Sequence, residues 1–205
     1  MRYLLSSVLL FAVFSCSPKI LKGLEEQPSE ISQITNPYFA DTAQDYVYKA
    51  KIDVYGKYFG GILIIKKVND TSHRVVFTTE FGSKLFDFLY EGNTFTKKFI
   101  VPDLDRNIIV NTLQKDFKIL ITEKVDVQSE YISEIPEILY KTEFGNRYNY
   151  YGFSDEKKLV VILNASKSKE KIIFTFQRTN NEVIKKLRIQ HLNIKLNIDL
   201  EYLNK

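Results

Sequence analysis

The chain has 205 residues, 44% of them hydrophobic and 26% charged, an ordinary globular composition of one-domain size that excludes a fully disordered polypeptide. It carries 13 Tyr and 15 Phe but no Trp, and its 8 Gly and 5 Pro are too few for collagen-like or low-complexity sequence. The 29 Lys and Arg exceed the 25 Asp and Glu by a net charge of +4 spread along the chain, which argues against a dedicated nucleic-acid surface.

Residues 1–15 read as a secretory signal. Arg2 supplies the positive start, residues 4–14 form a mostly apolar run, and the small residue Ser15 precedes Cys16. The run is too short to span a bilayer permanently. The segment Val13-Phe14-Ser15-Cys16 resembles a bacterial lipobox, with Phe14 bulkier than the small residue usual there. That resemblance implies cleavage before Cys16 and a covalent diacylglycerol and acyl lipid on its sulfur, a membrane anchor. Cys16 is the sole cysteine, so it has no intramolecular disulfide partner, and acylation accounts for it. Residues 16–45, with Pro18, Pro28, Ser29, Ser32, Thr35, Asn36 and Pro37, read as a polar tether. A short amphipathic helix at residues 19–24 packed on the domain is the alternative.

Residues 46–203 read as an antiparallel β domain. Tyr46, Tyr48, Ala50, Ile52 and Val54 alternate with polar residues, as do Leu192, Ile194, Leu196, Ile198 and Leu200, so each strand has one buried and one wet face. Further strands are expected at residues 60–67, 74–81, 85–91 and 94–101, separated by hairpin-sized gaps. Pro102 then opens an expected helix over residues 102–117, with Leu104, Ile108, Ile109, Leu113 and Phe117 at helical spacing and Asp103 and Asp105 near its start. Residues 122–136 show no clear pattern, and strands resume at 138–144, 147–153, 158–164 and 171–177. The fold class expected is mainly β: about ten antiparallel strands in a curled sheet that forms a half-open barrel, with one main helix packed in or over its concave side.

The inner face of such a sheet is either a site for an apolar ligand or a filled core. Its candidate lining residues are Tyr48, Ile52, Val54, Phe77, Phe86, Phe88, Tyr90, Leu196 and Ile198. No catalytic grouping stands beside them. His73 and His191 share no metal-ligand spacing with each other or with Cys16, and no nucleophile elbow, Walker loop or dinucleotide fingerprint is present. Gly60-Gly61 reads as a bulge or close backbone approach. Tyr148, Tyr150 and Tyr151 read as cross-strand packing, or as a stacking patch for a sugar or acyl chain. The expectation is a non-enzyme without metal or cofactor beyond the lipid on Cys16.

Several segments carry a resemblance. These are Gly61-Ile62-Leu63-Ile64, the run from Arg74 to Phe86 with Phe81-Gly82-Ser83 inside it, Glu91-Gly92-Asn93, and Lys186 to Ile189 with the strand after it. Their order resembles the bacterial lipoprotein-localisation (LolA/LolB-like) family, and among its members the outer-membrane receptor LolB. The resemblance implies an unclosed barrel capped by helices, whose hydrophobic cavity takes the acyl chains of lipoproteins and passes them to the membrane. It also implies an exposed apolar residue on a loop between early strands, and Phe81 is the position that matches. The absence of Trp and the long spacer before the first strand depart from the family pattern.

The functional expectation is a protein of the bacterial cell envelope, lipid-anchored to the outer membrane, that binds acyl chains or lipoproteins. The alternative is a lipid-anchored protein with a filled core, acting as a structural or assembly partner in an envelope complex.

Overall fold

Period-two alternation continues through most of the chain, and the backbone follows it into a single sheet of 13 strands. The computed structural model describes residues 18–178 and 183–203, so the signal segment and Cys16 lie outside the described residues. The chain forms β1 (Gln33–Thr35), β2 (Asp45–Val54), β3 (Lys57–Asn69), β4 (Ser72–Thr78), β5 (Lys84–Glu91) and β6 (Thr94–Ile100). Helix α1 (Asn107–Ile121) follows. After it come β7 (Lys124–Ile132), β8 (Ile138–Phe144), β9 (Arg147–Phe153), β10 (Leu159–Ala165), β11 (Glu170–Arg178), β12 (Ile184–His191) and β13 (Leu196–Tyr202).

Two antiparallel meanders, β2 to β6 and β7 to β13, join where β13 pairs with β2, with Ile198 opposite Ile52. β1 adds to β7, leaving β6 and β1 as the two edges of a sheet that does not close into a barrel. α1 connects β6 near one edge to β7 near the other, so it must cross the concave side. Its Ile109, Leu113, Phe117 and Leu120 belong to the same buried cluster as the inward residues of β2 to β5 and β10 to β13. The half-open, mainly β architecture with one helix over the concave side is therefore as the alternation implied.

The helix start, the start of the last strand and the number of strands differ from expectation. Pro102 opens a turn rather than the helix: Leu104 and Asp105 both donate backbone N–H groups to Val101 O, and α1 begins at Asn107. Asp103 and Asp105 pair with Lys57 at 2.7 Å and Lys97 at 2.6 Å, and neither caps the helix. The last strand starts at Leu196 because residues 192–195 bend; Lys195 O accepts from Tyr55 N, and Leu192 is 50% exposed. The strand count exceeds about ten by three: the patternless stretch after α1 holds β7, β1 arises in the expected tether, and β12 forms at residues 184–191, where periodicity alone gave no strand.

The tether reading fails for the described part of residues 16–45. Its scattered apolar residues find places in the domain, so Leu21, Ile34, Tyr38 and Phe39 are buried. A 3-10 turn at Lys19–Leu21 packs on the outer face of the sheet, where Leu21 joins Tyr131, Leu139, Tyr150 and Leu163 in a second apolar cluster. This is the packed alternative, as a 3-10 turn instead of an amphipathic helix. Tyr38 and Phe39 plug one mouth of the half-barrel, with the Tyr38 hydroxyl donating to Leu159 O at 2.6 Å and Asn36 Nδ2 donating to Leu120 O at 2.8 Å.

Candidate functional site

The concave face is built from strands whose inward positions share one side of the pleat. Tyr48, Ile52 and Val54 project from β2, Phe77 from β4, Phe86, Phe88 and Tyr90 from β5, and Leu196 and Ile198 from β13. All nine lie in one apolar cluster, and none is more than 3% exposed. Phe86 stacks on Phe88 with ring centroids 4.5 Å apart and leans on Phe77 at 5.4 Å and on Phe117 of α1 at 5.8 Å. The expected lining residues are thus brought together, and α1 covers them.

The attachments of that cover are few and identifiable. The Tyr90 hydroxyl donates to Gln114 O at 3.1 Å, and Lys118 Nζ donates to Gly92 O at 2.6 Å. Asn36 ties the helix C-terminus to the plug segment. Asp116, fully buried, meets His191 of β12 at 3.2 Å. Burial pushes the Asp116 carboxyl above its ordinary range, against the pull of the His191 hydrogen bond. A cleft of about 280 Å³ beside this pair is lined by Asn111, Thr112, Arg147 and Asn193 among others. Thr112 donates its hydroxyl to Ile108 O at 2.7 Å, and Lys115 also lines the cleft. Chain order gave no signal for this pair, because its members are 75 positions apart.

A larger cleft of about 570 Å³ opens beside the plug and is lined by Tyr38, Phe39, Tyr46, Tyr48, Leu159 and Ile184 with polar residues around them. Tyr48 is the expected lining residue that reaches it. Burial raises the Tyr48 hydroxyl far above the usual phenol range, so it stays protonated. Among the described residues, no group of three or more His, Cys, Asp and Glu side chains is placed to hold a metal ion.

Phe81 stands apart from the cover. It is 98% exposed on the turn joining β4 to β5. Thr79 N donates to Ser83 O at 2.8 Å, Gly82 N to Thr79 O at 3.0 Å, and Ser83 N to Thr79 Oγ1 at 3.1 Å. Gly82 takes φ +87°, the left-handed conformation that closes so short a loop. The strand expected to reach Phe81 stops at Thr78 for that reason. The neighbouring turn after β2 lies on the same rim, where Tyr55 is 45% and Tyr58 is 63% exposed.

The tyrosine run divides between faces, as alternation requires. Tyr151 joins the main core, while Tyr150 lies 6.0 Å from Tyr131 on the outer face and Lys141 sits 4.7 Å over the Tyr148 ring. At Gly61, a Cβ would fall 1.9 Å from Thr78 O, which accounts for glycine by close backbone approach.

No family model and no curated protein matches the chain. Among solved structures, a DUF1329 family protein from Desulfovibrio piger is similar over 80% of this chain and 86% of that one, at 11% identity and a TM-score of 0.28. That likeness is too slight to assign a family.

Proposed function

We propose that the protein is a lipid-anchored component of the bacterial envelope, at the outer membrane, that takes up acyl chains or lipoproteins in its half-barrel. In this reading α1 is the cover that the cargo displaces. The observation that carries it is the aromatic rim: Phe81, Tyr55 and Tyr58 are held in solvent at one end of the sheet, beside a concave apolar surface closed by a single helix. An acyl chain that replaces α1 over Phe77, Phe86 and Phe88 buries methylenes worth about 0.8 kcal/mol each, which offsets the loss of the helix contacts. Release needs a competing apolar phase, and a membrane beside the anchored domain supplies it. The reading uses no cofactor, metal or covalent step.

The test is native mass spectrometry of the protein purified without detergent, before and after incubation with a triacylated lipopeptide. Acyl species bound in stoichiometric amount support the reading. A mass that stays free of lipid in both cases overturns it and favours the second reading, a filled-core anchored partner of an envelope complex. The near-complete burial of the nine inner residues supports that second reading.

A further inference from the structure

The first described residues leave little slack between the domain and Cys16. Ile20 N donates to Glu170 Oε1 at 3.0 Å, Leu21 is buried in the outer cluster, and Gln27 bridges to Glu130. Cys16 is four residues before Ile20, a reach of about 14 Å at full extension. Glu170 opens β11 and pairs with Ala165 at the end of β10, so the chain approaches the sheet at the rim that bears the β10–β11 turn.

Strand directions place the turns after β2, β4, β8, β10 and β12 on that rim, and the turns after β3, β5, β7 and β9 on the opposite one. The two rims differ in charge. Around the point where the N-terminal segment docks, Lys167 and Lys169 occupy the β10–β11 turn, Lys195 the β12–β13 turn, and Lys19 and Lys22 the segment itself. All five are exposed, and none is in an ion pair among the described residues. The nearby carboxylates are Glu170, engaged by Ile20 N, and exposed Glu143 and Asp53; farther along the same rim Glu80, Asp103 and Asp105 are paired with Lys49, Lys57 and Lys97. On the opposite rim, the β7–β8 turn carries Glu134 and Glu137 and the β9–β10 turn carries Asp155 and Glu156, against Lys157 and Lys158.

We infer that the lysine-bearing rim at the β10–β11 and β12–β13 turns is a docking face for the headgroups of a bilayer containing anionic lipid, with the acidic rim turned away. The orientation rests on the proposal that Cys16 is acylated, because a short leash then holds this rim and the adjoining outer face beside the membrane. The headgroup affinity of the lysines does not depend on it. Basic side chains near an anionic surface act additively and are screened by salt.

The experiment uses the chain from residue 16 onward with Cys16→Ser, which removes the lipid and keeps every described element. Co-sedimentation is measured with vesicles of phosphatidylcholine alone and of equal parts phosphatidylcholine and phosphatidylglycerol. Binding to the anionic vesicles alone, weakened about fivefold per lysine by Lys167→Gln with Lys169→Gln and unchanged by Lys157→Gln with Lys158→Gln, supports the inference. Equal loss from the two double variants, or no preference for the anionic vesicles, overturns it. The intact mass of the wild-type protein extracted from membranes reports separately on acylation, so an unmodified Cys16 would sink the anchor and leave the vesicle result standing.

Discussion

His191 Nε2 lies 3.2 Å from Asp116 Oδ2, pinning the covering helix to β12 from inside the core. His191 Nδ1 faces Leu196 O at 3.0 Å and therefore carries a hydrogen. The contact at Nε2 then needs one more proton, held by either the imidazole or the raised Asp116 carboxyl. Asp116→Leu leaves the ring without its partner and is expected to cost about 3 kcal/mol in urea denaturation. Asp116→Asn, which can donate to Nε2, is expected to cost less than half of that, and the double variant Asp116→Leu/His191→Leu to regain most of the loss. Additive losses in the double variant would show that the two side chains do not act as a pair.

Phe39 is fully buried in the mouth of the half-barrel, its ring 5.1 Å from that of Tyr46. Phe39→Ala is expected to destabilise by about 3 to 5 kcal/mol through the cavity it leaves, and a chain beginning at Asp45 should fail to fold cooperatively. A free tether would give no change in either case, and the midpoint of thermal unfolding separates the two.

That segment marks where the sequence stops being legible. Alternation in β2 and β13 is a local property of the chain, so those strands and the inward positions they contribute could be read directly. Tyr38 and Phe39 follow Pro37 in a polar stretch with no period, and their burial depends on a mouth assembled from β2, β10 and β11. The Asp116–His191 contact likewise exists only because α1 crosses the sheet. β7 alternates over residues 124–128, with Val125 and Val127 half-buried between exposed polar neighbours, but that run is short and a register shift between Val127 and Ser129 interrupts the strand. The covered state of the concave face is a packing outcome and left no mark on the alternation.

Acid should destabilise the protein in two stages. Burial holds His73 below its ordinary value of 6.5, and its Nε2 lies 3.0 Å from Phe39 O. The unfolded chain therefore binds the additional proton more readily, so this contribution is full above the unfolded value and is lost as pH falls through and below it. Arg74 holds Asp87 at about 2 by a two-point hydrogen bond at 2.9 and 2.7 Å, with Lys84 at 2.7 Å, against an ordinary 3.8. That contribution, about 2 kcal/mol, is present above the unfolded value and lost as pH falls toward 2. Equilibrium unfolding against pH should show His73→Gln flattening the first stage and Asp87→Asn part of the second. Glu26 also contributes to the second, because the effect of its burial is outweighed by hydrogen bonds from Lys141, Ser129 and Tyr131 that hold it at about 2. A wild-type curve flat from neutral pH down to the ordinary carboxylate range would refute the His73 stage.

Gly61 faces Ala50 across β2 and β3, with Thr78 O in the space a side chain would need. Gly61→Ala forces backbone apart and is expected to cost about 1 to 3 kcal/mol. Gly60→Ala meets the flexible Tyr58 ring, which can swing away, and should cost less. Equal losses in chemical denaturation would remove the close-approach account.

Phe81 offers the cleanest separation of folding from function. Charged substitutions at Phe77 or Phe86 would place an unpaired charge in a fully buried site and unfold the domain, so they cannot report on cargo. Phe81 touches solvent on nearly its whole surface, and its turn is closed by Thr79, Gly82 and Ser83. Phe81→Asp should therefore change stability by no more than about 0.5 kcal/mol. If the aromatic rim contacts membrane or cargo, the same substitution should reduce transfer of a fluorescent lipopeptide to acceptor vesicles by about tenfold, the equivalent of about 1.4 kcal/mol. Phe81→Leu should retain most of the activity because an apolar tip remains. Transfer unaffected by Phe81→Asp would leave the exposed ring without a role in delivery and shift weight to the filled-core partner. Transfer lost equally in Phe81→Leu and Phe81→Asp would point to a specific aromatic contact with a protein surface instead of a lipid one.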